Sequence, residues 1–273
     1  LHQLVALVAV DPSGRQMERD VDHPRQPQPV ERLGERRTHA LQRGDFREHE
    51  DDRAVAEGFR VLVAAPSGER SWIGRAFSRH REVTLADYPG LGEQAWSIDG
   101  TPSDCVNIAL GHLLPAKPDI VISGINIGFN ATMPLCLSSG TLAGATEGAA
   151  WGLPAVACSL DLEQSLFEQV HRNSATCPPA LRPHLEIACR HAARFAKGLV
   201  GQPVSGLHVH SLNYPAGVTE QTAMERSTPA LVPRLPFQTF RPRLLVRLER
   251  RREPFDRKTN RPRRFGARSD QSH

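Results

Sequence analysis

Three short apolar runs constrain this chain more than anything else in it. "FRVLVAAP" (59–66), "DIVISG" (119–124) and "AVACSL" (155–160) carry no polar alternation. A strand with one wet face alternates polar and apolar residues, whereas one covered on both faces reads as a continuous apolar run. The first two runs lead into polar, glycine-bearing loops, and segments of helical period lie between the runs and beyond the last one. "TPSDCVNIALGHLL" (101–114) offers Ser103 and Asp104 as N-caps and sets Val106, Ala109, Leu110, Leu113 and Leu114 on one helical face. "TLAGATEGAAWGLP" (141–154) reads as a small-residue helix closed by Gly152 and Pro154. "ALRPHLEIACRHAARFAKGLV" (180–200) repeats Leu185, Ala188, Ala192, Phe195 and Leu199 at helical spacing. "HREVTLAD" (80–87) alternates and reads as a further strand, and "GLHVHSLNYP" (206–215) as the last one. Strands alternating with helices predict an α/β fold, a mostly parallel sheet covered on both faces. There is no internal repeat.

The flanks differ. Residues 11–58 hold "DHPRQPQPVERLGERRTHALQRGDFREHEDD", rich in charge and proline, where no period survives. Disorder is expected there, or makeshift helix around Glu31–Phe46. The net charge of +4 is also uneven. Residues 241–273 contain 12 Arg and Lys against 4 Asp and Glu, so the basic balance belongs to a tail. A basic tail attracts polyanions without specificity, and no specific nucleic-acid partner is expected. Five cysteines without a CxxC pair argue against a disulfide framework or zinc site and for free thiols in a cytoplasmic protein. No apolar stretch is long enough to span a membrane. "LHQLVALVAV" lacks the basic start and small-residue cleavage site of a signal peptide.

Ligands in such sheets bind beyond the carboxyl ends of the strands. Three loops leave strand ends here: "APSGERSWIG" (65–74), "SGINIGFN" (123–130) and "CLSSGTLAGATEG" (136–148). If they converge, they bring together Ser71, Asn126, Asn130, Ser139, Gly140 and Thr141. Ser-Ser-Gly-Thr at a helix start presents backbone N–H groups and hydroxyls at the positive end of the dipole, which suits phosphate. The same sequence also serves as a plain Ser N-cap. Asn126 has a carbonyl oxygen for a hard cation and Asn130 an amide for a substrate, yet each equally satisfies loop backbone. Ser71 fits an N-cap, a phosphate contact or a metal ligand. Asp99 and Asp104 fit a general acid or plain turn and cap residues, and the cap is the preferred reading for Asp104. His208 and His210 share a face more simply as exposed strand residues than as a metal pair. Cys105, at a helix start with no histidine near it in sequence, reads as a buried thiol.

Taken in order, "VLVAAPSGERSWIG", "DGTPSDCVNIAL", "PDIVISGINIGFN", "SSGTLAGATEGAAWGLPAVACSL" and "LNYP" resemble the SurE family of stationary-phase survival proteins, over roughly Phe59 to Phe240. The resemblance implies a Rossmann-like three-layer α/β/α domain and a metal-dependent phosphomonoesterase acting on nucleoside monophosphates. It implies one divalent cation, magnesium or manganese, with Ser71 and Asn126 as ligands. It implies that Asn130, Ser139, Gly140 and Thr141 hold the substrate phosphate and that Asn126, Ser139 and Thr141 are catalytic. It also implies a homodimer or larger homo-oligomer. The chain then divides into an atypical segment 1–58, a nucleotidase domain 59–240 and a basic, disordered tail 241–273.

One departure bears on activity. The family opens with a strand ending in Asn-Asp-Asp-Gly, whose aspartates are the anionic metal ligands, about thirty residues before the serine matching Ser71. The corresponding stretch here is "RRTHALQRG" (36–44). Asp51 and Asp52 lie nearer to Ser71, and Asp11 follows a plausible strand but is single. Serine and asparagine are neutral donors, and hard cations need carboxylates, so activity is expected to be impaired. The alternative is a non-catalytic nucleotide- or phosphate-binding protein. A shifted reading frame before Phe59, and again near Pro236, is the expected origin of both unusual ends.

Overall fold

The computed structural model of the chain describes residues 7–10, 59–88, 94–172, 177–231, 237–240 and 245–248. The expected helix at Glu31–Phe46, together with Asp11, Asp51 and Asp52, lies outside them. The chain forms two units, Leu1–Ala230 and Leu231–His273.

In the first unit seven strands make one sheet. They are β1 (Leu7–Val10), β2 (Arg60–Pro66), β3 (Leu85–Asp87), β4 (Gln94–Ile98), β5 (Ile120–Ile127), β6 (Ala155–Leu160) and β7 (His210–Tyr214). The order across the sheet is β3-β4-β2-β1-β5-β6-β7. β2 runs parallel to β4, and β5, β6 and β7 run parallel to one another. β3 is antiparallel to β4. β1 is antiparallel to both β2 and β5. Because β1 opposes both neighbours, β2 and β5 point the same way. The C-terminal ends of β2, β4, β5, β6 and β7 therefore share one edge.

The helices are α1 (Pro102–Ile108), which continues as a π-helical turn at Ala109–Leu113, α2 (Met133–Ser138), α3 (Gly140–Ala150), α4 (Gln164–Arg172) and α5 (Arg182–Leu199). The side-chain period of two along each strand sorts them onto two faces. Ile120, Ile122, Val156, Cys158 and Leu160 pack with Leu181, Ala188, Ala192 and Ala196 around α5. The intervening Val121 packs with Val106 and Leu110 of the α1 segment, and Ala155 and Ala157 with Ala145 and Ala149 of α3. Leu62 and Ala64 join Trp96, Ile98 and Cys105 on the α1 side. The result is a mostly parallel sheet between two helical layers, the Rossmann-like three-layer α/β/α arrangement.

Local chemistry explains the helices that shape the site. α1 begins at Thr101, whose hydroxyl accepts from the Asp104 N–H while the Asp104 carboxylate accepts from the Thr101 N–H. This capping box corrects the expected N-cap: Asp104 is the third helical residue, and Pro102 fits the first turn because its missing N–H would be orphaned there anyway. α3 is thin enough to lie close on the sheet: a Cβ on Gly148 would come within 2.6 Å of Val121 Cβ. Of "HREVTLAD" only Leu85–Asp87 is strand. The sequence reading did not mark β4, α2 or α4.

In the second unit, β8 (Phe237–Phe240) pairs antiparallel with β9 (Leu245–Leu248). β9 falls within the segment expected to be disordered. Among the described residues no helix is long and apolar enough to cross a membrane. All five cysteines are free, as expected.

Candidate phosphate-binding site

Loop 67–78, which leaves β2 at Pro66, is pinned along its whole length. The Ser67 N–H donates to the Ile98 carbonyl (2.8 Å), and Arg70 Nη2 donates to Asp99 Oδ1 (2.8 Å). The Gly74 N–H donates to the Ser138 carbonyl at 2.9 Å. Arg75 Nη2 meets Glu147 Oε2 of α3 at 2.7 Å, with the Glu147 side chain only 5% exposed. Thr101 Oγ1 donates to the Ala76 carbonyl, and the Ser78 N–H to Asp104 Oδ1. The loop thus bridges the start of α1 and the start of α3. Gly74 makes the approach possible. It sits at φ +54°, and a Cβ there would lie 2.7 Å from the Leu137 carbonyl oxygen.

The second loop grows from an irregular strand end. β5 pairs in register with β6 through Ser123, shifts, and resumes at Asn126 opposite Ser159. Gly124 permits the shift. Its φ is +126°, and any Cβ would press on the Cys158 carbonyl. Asn126 Nδ2 lies 3.5 Å from the Gly128 carbonyl, at the limit of a hydrogen bond. Asn130 is buried. Its N–H donates to Asn213 Oδ1 at 2.7 Å and its Nδ2 to Ser159 Oγ at 2.8 Å. The Cys136 thiol donates to the Asn130 carbonyl at 3.0 Å. α2 therefore links all three loops, through Cys136 to the second and through Ser138 to the first. Sequence reasoning missed Ser159, Asn213 and Cys136 in this role. All three stand in segments singled out from the sequence, Ser159 in "AVACSL", Cys136 in "CLSSGTLAGATEG" and Asn213 in "LNYP", but no local pattern marks them as anchors.

The third loop is the start of α3. Ser139 is extended (φ −73°, ψ 121°), and its hydroxyl accepts from the Leu142 N–H at 3.1 Å. Gly140 and Thr141 follow, both buried. The Thr141 hydroxyl is buried without a hydrogen-bond partner among the described residues, as is that of Ser123 on β5. A buried hydroxyl left unpaired costs about 1–3 kcal/mol. Here one sits in the first turn of an eleven-residue helix, where N–H groups are also unpaired.

The cation half of the expected site is built differently. Ser71 Oγ donates to Glu69 Oε1 at 2.8 Å. Asp99 is shared by Arg70 and Arg81, at 2.8 Å and 2.7 Å. Among the described residues no group of three or more His, Cys, Asp or Glu side chains could hold a metal ion. Val10, which precedes Asp11, pairs with Arg60 at the edge away from the loops. Ser71 and Asn126 are neutral donors, and the Glu69 carboxylate bonded to Ser71 adds one anionic oxygen; this set falls short of the carboxylate-rich shell a hard divalent cation takes. Burial, reinforced by the neighbouring Asp104 charge, pushes the Cys105 thiol far up, as its reading as a buried thiol requires. The His208 and His210 rings lie 4.8 Å apart, and burial and its neighbour lower the His210 pKa.

A family model described as "Survival protein SurE" matches residues 48–232. The 5'-nucleotidase SurE of Methanothrix thermoacetophila is 30% identical over 205 residues, 74% of this chain and 71% of that protein. The 5'-nucleotidase SurE of Pelotomaculum thermopropionicum is 42% identical over 123 residues, 40% of this chain and 47% of that protein. The chain thus spans less than half the length of the second relative. A crystal structure of the SurE protein from Aquifex aeolicus aligns with a TM-score of 0.48 at 24% identity, covering 60% of this chain and 59% of that one.

Proposed function

Since this chain belongs to the survival protein SurE family, we propose that it is a phosphomonoesterase whose substrate is a nucleoside monophosphate held by the start of α3. The unpartnered, buried Thr141 hydroxyl at that helix start carries the reading. A phosphoryl oxygen there accepts from Thr141 Oγ and from the first free N–H groups of α3, at the positive end of the helix dipole. Ser139 fixes where the helix begins. Asn130, anchored to Ser159 and Asn213, holds the second loop beside it. Preorganised donors of this kind stabilise charge on the phosphoryl oxygens as a water attacks in line.

A divalent cation, magnesium or manganese, would supply activation of that water, with Ser71 and Asn126 as its neutral ligands. Glu69, bonded to Ser71, brings one carboxylate beside them, but no group of three or more His, Cys, Asp or Glu side chains among the described residues could hold the ion, so the reading assigns no step to it. The same observation favours a second reading, in which the chain binds nucleotides or phosphate without turnover.

Phosphate release from 5′-AMP, with and without manganese, together with calorimetric binding of 5′-AMP, separates the two. Under either reading wild type binds 5′-AMP and Thr141→Val weakens binding. Manganese-dependent release lost in Asn126→Ala supports the enzyme, and binding without release supports the second reading. A folded chain that does not bind 5′-AMP refutes both.

A further inference from the structure

Trp72 is the residue that neither the fold nor the phosphate site explains. Of the three tryptophans, Trp96 is buried in the core, and Trp151 donates its indole N–H to Asn107 Oδ1. Trp72 is 56% exposed and makes no ring contact among the described residues. It is also the one non-glycine residue among them held at positive φ, +63°. That conformation costs free energy for a bulky side chain and persists only where the surroundings impose it. Here they do. The loop is clamped on both sides of Trp72, by Arg70 on Asp99 and by Gly74 on Ser138.

The clamp also sets the ring's position along the chain. Trp72 precedes Gly74 by two residues, and Gly74 is bonded to the residue before Ser139. Two residues span about 7 Å at most, so Trp72 stands beside the phosphate site. Leu137 (74% exposed) and Met133 (37%), both on α2, are further exposed apolar side chains on the same rim. Phe77, in the same loop, is already occupied: the Arg75 guanidinium sits 5.1 Å from its ring centroid.

We propose that Trp72 is the platform on which the nucleobase of the substrate stacks, so that affinity for nucleotides over simple phosphate esters comes from this residue. The inference rests on the phosphate reading of α3, since it is the neighbouring phosphate site that makes a nucleoside the occupant. An indole offers the largest aromatic face among the side chains, and stacking is tolerant of base identity because every base has a π-face. The platform therefore separates nucleotides from sugar phosphates without separating purines from one another.

The experiment titrates the full chain, wild type, Trp72→Ala and Trp72→Phe, with 5′-AMP and with ribose 5-phosphate, by calorimetry and by indole fluorescence. Trp72→Ala is expected to weaken 5′-AMP by about tenfold or more while leaving ribose 5-phosphate unchanged. Trp72→Phe should recover part of the loss, and 5′-AMP should quench wild-type emission more than ribose 5-phosphate does. Equal weakening of both ligands would make Trp72 a loop-shaping residue and overturn the proposal. Unchanged 5′-AMP affinity in Trp72→Ala would overturn it while sparing the phosphate site, and a concurrent change in oligomeric state would give the ring to a contact between copies. A wild type that binds neither ligand would sink the phosphate reading first, and the platform with it.

Discussion

Exchanging glycine for alanine at two helical positions should move stability in opposite directions. Gly148 in α3 and Gly198 in α5 both lie in regular helix, where alanine is favoured over glycine by about 1 kcal/mol in an interior turn. At Gly198, which is exposed, a new Cβ meets nothing within 4 Å. The gain there is about 0.5–1 kcal/mol, trimmed because the position lies in the last turn. At Gly148 the new Cβ would lie 2.6, 2.7 and 2.9 Å from Cβ, Cγ2 and Cγ1 of Val121. Comfortable carbon–carbon contact is about 3.5–4.0 Å, so roughly 1 Å must be found between α3 and the sheet. Val121 cannot provide it by turning, because its Cβ is fixed by the backbone of β5 and the residue is fully buried. Overpacking costs about 1–3 kcal/mol and sometimes more. Three contacts below 3 Å put the cost at the upper end, about 3 kcal/mol, and set against a gain of about 1 kcal/mol Gly148→Ala should destabilise by about 2 kcal/mol. Urea unfolding of the full chain, followed by far-ultraviolet circular dichroism with the slope left free, measures both. A Gly148→Ala variant as stable as wild type would show that the layer spacing yields easily, and would refute the argument that α3 is held close by its small residues.

Gly124→Ala should be worse still, since it adds strain at φ +126° to a clash with the Cys158 carbonyl; little folded protein at 37 °C is the expected result, and a normal unfolding curve would contradict it. Thiol labelling of the native chain should reach Cys136 and Cys177 and leave the buried Cys105, Cys158 and Cys189 untouched until denaturant is added; rapid labelling of more than two thiols would count against the packing described. Burial lifts the Cys158 thiol from 9.0 to about 12 and raises Tyr214 as well. These groups ionise first in the unfolded chain, so stability present below pH about 9 should fall as pH rises above it, by up to about 1.4 kcal/mol per pH unit for each group. A urea midpoint that stays level from about pH 8 to pH 11 would refute this.

The elements read most easily from sequence were those whose local pattern and burial agree. β5 and β6 are apolar on successive residues because helices cover both faces, and α5 shows its stripe at Leu185, Ala188, Ala192 and Phe195. β4, "QAWSI", escaped because five residues of mixed polarity carry no period of their own; pairing with β2 makes it a strand. β1 was legible only as a plausible strand before Asp11, for a related reason. Four apolar residues can be strand or helix, and their partners lie some fifty residues or more away. The site loops were visible as glycine, serine, threonine and asparagine at strand ends. Their mutual anchoring was not, because it runs through contacts that no local pattern announces: the Arg75 side chain with Glu147, the Asn130 N–H with the distant Asn213 side chain, and the Cys136 thiol with a carbonyl six residues back. Nothing in "ERS" announced that the Ser71 hydroxyl would be turned toward Glu69 rather than outward.

The direction of β1 separates two properties that usually travel together. Backbone N–H and C=O groups are satisfied by a neighbour running either way, so the gap between β2 and β5 is closed equally well by a chain of either polarity. Chemistry has no such symmetry. A parallel strand would deliver its last residue to the edge where the three loops meet; the antiparallel one delivers Leu7 there and sends Val10 to the far side. A middle strand can therefore be replaced without opening the sheet, while whatever its outgoing end would have contributed to the loops is lost. In an architecture of this type an intact core certifies the scaffold alone, and the completeness of a reaction centre has to be established separately, strand end by strand end.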